Sequence, residues 1–92
     1  MDLTVIIKRV EDIKEVGEKK FRTRSLIGTT EEQYPQTLAI QFTQDRVNAM
    51  DIFAPGDKVK IAINLKGREW TSPSGEVVVM NTIEGWRIEK AI

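Results

Sequence analysis

The feature that most constrains this chain is a period of two. From Gln36 to Thr43, Leu38, Ile40 and Phe42 stand on one face and Thr37, Ala39 and Gln41 on the other. From Lys58 to Leu65 the pattern repeats, with Val59, Ile61, Ile63 and Leu65 opposed to Lys58, Lys60, Ala62 and Asn64. Successive side chains of a strand point to opposite faces, so each run reads as a strand with one buried side. The β-branched run from Leu3 to Val10 reads as another strand. Phe21 to Gly28 adds one more, placing Phe21, Thr23, Ser25 and Ile27 on one face and Arg22, Arg24 and Leu26 on the other. A last strand runs from Glu76 toward Ile83, and Gly85 marks a bulge or bend before Trp86-Arg87-Ile88.

The segments between these runs are turn chemistry. Glu11 to Lys20 is charged and broken by Gly17, which predicts a loop or a strand extension. Thr29 to Gln33 is polar and closes on a Tyr34-Pro35 turn. Between Gln44 and Phe53 the apolar spacing changes to three, at Val47, Met50 and Phe53, with Asp45 near the start. That spacing predicts a short helix with an acid at its positive end. Ala54-Pro55-Gly56-Asp57 stops it. Residues 67–75 read as a loop that holds Arg68, Trp70, Pro73 and Ser74. The order is β-β-β-α-β-β. Five strands with a helix between the third and fourth describe an all-β chain with one short helix, the five-stranded Greek-key barrel called an OB-fold. An SH3-like barrel is the rival, and it rarely carries a helix at that point.

The 92 residues provide for one domain, residues 1–92. Fourteen Lys and Arg balance fourteen Asp and Glu, so the formal charge is zero. The cations are not evenly spread, for Lys19 to Arg24 is basic while Glu11 to Glu18 and Glu31-Glu32 hold much of the acid. A neutral total therefore allows a basic groove with an acidic back. The chain has neither His nor Cys, which excludes a thiolate nucleophile, a His general base, a disulfide framework and the usual zinc sites. Ser25, Ser72 and Ser74 have no histidine partner, leaving only a Ser–Lys dyad as a nucleophilic option. The adjacent acids Glu11-Asp12 and Glu31-Glu32 point apart on a strand, and no glycine-rich phosphate loop is present. The reading is a non-enzyme that needs no cofactor or metal. The apolar start of the chain stops at Lys8 without a cleavage site, and no window nears the roughly 20 apolar residues of a membrane span. The cytoplasm is the default location.

Four segments occur in an order that resembles a family of short bacterial proteins catalogued as a domain of unknown function. They are Glu31-Glu32-Gln33-Tyr34-Pro35-Gln36, Gly56-Asp57-Lys58-Val59, Lys66-Gly67-Arg68-Glu69-Trp70 and Trp86-Arg87-Ile88-Glu89. The resemblance spans about Val5 to Glu89. That family is similar to OB-fold single-stranded DNA-binding and primosomal replication proteins, so the resemblance implies an OB-fold and, by analogy of fold, single-strand binding. Within the family a tryptophan is more usual at the place of Phe21, and a larger apolar residue at the place of Gly28. A glycine there suggests a bulge that shifts the strand register.

Two groups of residues fit a single-strand site. Lys20, Phe21, Arg22 and Arg24 interleave cations with a ring, as phosphate neutralisation and base stacking require. Exposed basic residues also protect strand edges from pairing, which is the plainer explanation. Lys66, Arg68 and Trp70 lie between the last two strands, where OB-folds place a ligand-binding loop. Trp70 also suits a plug at the barrel end. Lys58, Lys60 and Lys66 share one strand face, as a phosphate track or as solvated lysines opposite a core. Trp86 reads as packing and Tyr34 as a turn anchor. The function that follows is non-catalytic binding of single-stranded nucleic acid, DNA in the first place, with little sequence preference. The competing reading is a protein-interaction or assembly domain, favoured by the zero net charge. A homodimer or higher oligomer is compatible with both.

Overall fold

In the computed structural model, which describes residues 1–91, six strands curl into one sheet. They are β1 (Asp2–Val10), β2 (Lys14–Val16), β3 (Phe21–Thr30), β4 (Thr37–Thr43), β5 (Lys58–Thr71) and β6 (Val77–Lys90). The order across the sheet is β1-β5-β6-β4-β3-β2, and a further β1–β3 pairing closes it. All neighbours are antiparallel except β4 and β6, which meet in parallel at Ile40–Ile83 and Gln41–Glu84. This is the OB-fold barrel, with β2 as a small addition hairpinned onto β3. The charged segment after Val10 thus takes up the strand extension that its sequence left open.

The alternation of the middle strands is what fills the barrel. Val5, Leu26, Ile40, Phe42, Val59 and Ile61 are fully buried, joined by Ile7 and Ile63. Burying each such side chain contributes about 1.5–3 kcal/mol relative to exposure. Two glycines make room for this core. A Cβ on Gly28 would lie 2.5 Å from Val5 Cγ2, and one on Gly85 would lie 2.5 Å from Phe42 Cζ. The bulge expected at Gly28 falls on the strand opposite. Ile7 pairs with Gly28 and Arg9 with Ile27, leaving Lys8 as the extra residue. Gly28 is small so that β1 can approach. The irregularity expected at Gly85 is present. Ile63 pairs with Gly85 and Ala62 with Arg87, so Trp86 is the unpaired residue of a bulge.

The segment after β4 is a 3₁₀ stretch, Gln44–Asn48, in place of a longer helix. The N–H groups of Ala49, Asp51 and Phe53 then each bond to the carbonyl three residues back. A 3₁₀ geometry eclipses side chains every three residues, so a spacing of exactly three suits it better than the 3.6 of an α-helix. Val47 and Met50 are accordingly buried and Phe53 packs against the core.

The larger departure concerns residues 67–75. They are not a loop. Lys58–Thr71 and Val77–Lys90 are long strands that continue pairing out to Thr71–Val77, and only Ser72 to Glu76 turn. β1 accompanies β5 only as far as Ala62, and β4 meets β6 only at Ile83 and Glu84, so from the Leu65–Ile83 pair outward the two strands leave the barrel as a ribbon. Leu65, expected in the core, lies on this ribbon and is 68% exposed. The ribbon is the arm that stretches the molecule to 48 × 33 × 20 Å. The radius of gyration is 14.6 Å. A compact chain of this length would have about 12 Å.

Candidate nucleic-acid interface

The outer face of β3 and β4 and the near face of the arm enclose a groove of about 590 Å³. Its wall on the barrel side is Phe21, Thr23 and Gln41, with Val16 of β2 behind Phe21. Its wall on the arm is Lys66, Arg68, Met80, Thr82 and Glu84. Pairing explains the second set, since Lys66 lies opposite Thr82 and Arg68 opposite Met80, which puts them on one face of the ribbon. Trp70 and Val78 are the next pair on that face, 53% and 43% exposed. The ring of Phe21 is 42% exposed where β3 begins.

Three of the residues singled out from the sequence, Phe21, Lys66 and Arg68, therefore line one groove, and Trp70 prolongs it. Lys20 sits in the turn just before Phe21, with φ 52°, and its N–H donates to the carbonyl of Gly17. Arg22 and Arg24 occupy the opposite side of β3. Arg22 meets the carbonyl of Gln44 at 3.3 Å and Asp45 at 3.9 Å. Arg24 is held more closely, with 17% of its side chain exposed. Its Nε donates to the Glu11 carbonyl at 2.8 Å, and its Nη1 to the Val47 carbonyl at 3.0 Å and to Asp51 Oδ1 at 2.6 Å. It ties the 3₁₀ segment to the end of β1. The alternation had already set these two arginines opposite Phe21.

Electrostatically, the groove is mixed. Lys66 lies 3.7 Å from Glu84, while Arg68 makes no ion pair among the described residues. The centre of the β3–β4 face is neutral, with Thr23, Ser25, Gln41 and Thr43 side by side. The cations Lys66 and Arg68 stand on the arm wall beside Glu84, and among the described residues no continuous basic face crosses the groove. Lys58 and Lys60 do not extend the track, because Glu31 holds the first at 2.8 Å and Asp2 the second at 3.4 Å. A second hollow, about 690 Å³, lies between β1 and the segment after β3. Glu31 and Glu32 line it beside a single lysine, Lys8, which is the wrong balance for phosphate. Thr23, Gln41, Met80 and Thr82 were not anticipated. The first two were legible as outward residues of their strands. The others were not, because the sequence does not reveal that the arm pairs and folds toward β3.

A closed sheet with this strand order and a groove between its second and third barrel strands and the hairpin after the fourth defines an OB-fold with its usual ligand face open. The chain belongs to the family described as Domain of unknown function (DUF3127), whose profile matches residues 2–89. It is similar to the mitochondrial single-stranded DNA-binding protein of S. cerevisiae, with a TM-score of 0.64 and 11% identity over 98% of this chain and 93% of that one. It is also similar to a small single-stranded DNA-binding protein from Streptomyces coelicolor, with a TM-score of 0.60 and 14% identity over 100% of this chain and 93% of the other. No curated protein matches its sequence.

Proposed function

We infer that this protein binds single-stranded nucleic acid, DNA in the first place, without catalysing a reaction and with little sequence preference. The observation that carries this reading is the groove, where an exposed ring, an arginine with no ion pair among the described residues and a second cation face neutral polar side chains across a width of barrel surface. Phe21 and Trp70 are the stacking platforms, each base–ring stack contributing about 1–3 kcal/mol. Arg68, Lys66 and Lys20 neutralise phosphates along the rim. Arg22 and Arg24 hold the barrel end and act on the ligand only through the position of β3. Thr23 and Gln41 supply hydrogen bonds on the floor, too few to read a sequence. The names of the two similar structures add support at the level of fold.

The test is a titration with oligo(dT) at low salt, read by tryptophan fluorescence and by the anisotropy of a labelled strand. Micromolar binding with quenching of Trp70 is expected. Phe21→Ala should weaken it by the equivalent of about 1–3 kcal/mol. A flat titration for wild type would sink the reading.

A further inference from the structure

The tip of the arm has a second property, independent of the groove. The chain from Val77 to Asn81 reads Val-Val-Val-Met-Asn, and Val77, Val78, Val79 and Met80 are each between 43% and 62% exposed. Its backbone is also half unpaired. The hairpin closes through Ser72 N–H to the Glu76 carbonyl and Gly75 N–H to the Ser72 carbonyl, with Gly75 at φ 91°. Ser72 and Glu76 thus occupy a hydrogen-bonded position, the Glu76 N–H returning to the Ser72 hydroxyl at 3.1 Å, and the ladder alternates from there. Val78 and Met80 then bond toward β5, while the N–H and C=O groups of Val77, Val79 and Asn81 point away from it. Two residues on, Ile83 uses this outward side to meet Ile40 of β4, in the same phase. Between Val77 and Asn81 no strand pairs there among the described residues.

Free edges are normally blunted by charge, proline or a bulge. The other edges of this sheet follow that rule, with Lys14 and Glu15 on β2 and Lys66, Arg68 and Glu69 on the outer strand of the arm. The Val77–Asn81 edge has none of these, and a two-stranded ribbon is marginal by itself in water. We propose that this edge is a self-association surface, on which Val77–Asn81 pairs antiparallel with the same segment of a second copy about a two-fold axis through Val79.

The occupant is a second copy because the segment complements itself. The axis sets Val79 against Val79, Val77 against Asn81 and Val78 against Met80, so no charges meet and each outward pair exchanges both main-chain bonds. The axis stands perpendicular to the joined ribbons, so both groove faces open on the same side. The site that receives nucleic acid, if the reading above holds, is then shared by two copies.

Sedimentation equilibrium from micromolar to millimolar protein, with amide exchange followed by NMR, tests the pairing. The expected mass rises from 10.5 kDa to twice that value. The amides of Val77, Val79 and Asn81 should become protected in step with it. Val79→Pro removes only an outward N–H, and Val79→Lys sets like charges on the axis; both should stay monomeric with unchanged near-ultraviolet dichroism. Wild type remaining at 10.5 kDa with these amides exchanging freely overturns the proposal. So does an oligomer that survives in both variants with the same amides unprotected. Neither result depends on whether oligo(dT) binds.

Discussion

At the scale of single residues, Arg24 shows how position on a strand decides the work of a charge. It directly follows Thr23, the outward neighbour of Phe21, yet its guanidinium lies on the other side of β3, where two carbonyls and Asp51 occupy it. Hydrogen bonds from a charged donor contribute about 1.5–3 kcal/mol. Arg24→Ala should therefore lower stability toward urea by about that amount. It should leave the affinity for oligo(dT) nearly unchanged wherever the variant is folded. Arg68→Ala should do the reverse, since its exposed guanidinium has no internal partner among the described residues. Comparing urea midpoints with binding isotherms for the pair separates the two roles. The basic cluster was legible in the sequence, and so was the alternation that divides it. Its internal partners were not, because Glu11, Val47 and Asp51 reach Arg24 only when β1, β3 and the 3₁₀ segment converge.

At the scale of elements, the arm differs from the rest of the barrel. Its strands keep the period of two, but past Ile63 the inner face of β5 no longer meets the core, so Leu65, Val77 and Val79 are exposed. Periodicity reports which residues share a face and not whether that face meets a core. For the same reason residues 67–75 read as a loop, since Gly67, Arg68, Pro73 and Gly75 have turn composition although β5 runs through the first two. Replacing residues 67–81 with a short Asn-Gly turn is expected to leave a folded barrel, because the core lies in the other part of the chain. Its thermal transition should remain cooperative, while oligo(dT) binding falls below detection because Arg68, Trp70 and Met80 are gone. A shortened protein that still quenches on titration would place the ligand elsewhere. The 3₁₀ segment was closer to legible. Its spacing of three is the period of the geometry it adopts.

At the scale of the whole molecule, direct ion pairs account for part of the zero net charge. Lys58 with Glu31, Lys60 with Asp2, Arg9 with Glu11 and Arg87 with Glu89 each pair a cation away from the groove with an acid. Exposed pairs of this kind contribute at most about 1 kcal/mol each. They do remove those cations from competition for phosphate. Affinity should then rest on the few cations at the groove rim. The logarithm of the binding constant is expected to fall linearly with the logarithm of salt, with a slope of about −0.7 per phosphate neutralised. Arg68→Ala should flatten that slope by roughly one such unit in a fluorescence titration across salt concentrations. A slope unaltered by this substitution would show that other cations carry the contact.

By itself the sequence determined which side chains could be buried, where most strands begin, and that no thiolate or imidazole chemistry is available. These are local properties, set by residue type and by a period that any strand must obey. Only the tertiary structure decided that the segment after Lys66 is an arm, that its even-numbered face bends toward Phe21, and that Arg22 and Arg24 stand outside the groove. Those outcomes depend on where β1 stops pairing with β5 and on how far β5 and β6 outrun the barrel. Such lengths emerge from pairing between distant segments, which no window of the chain contains.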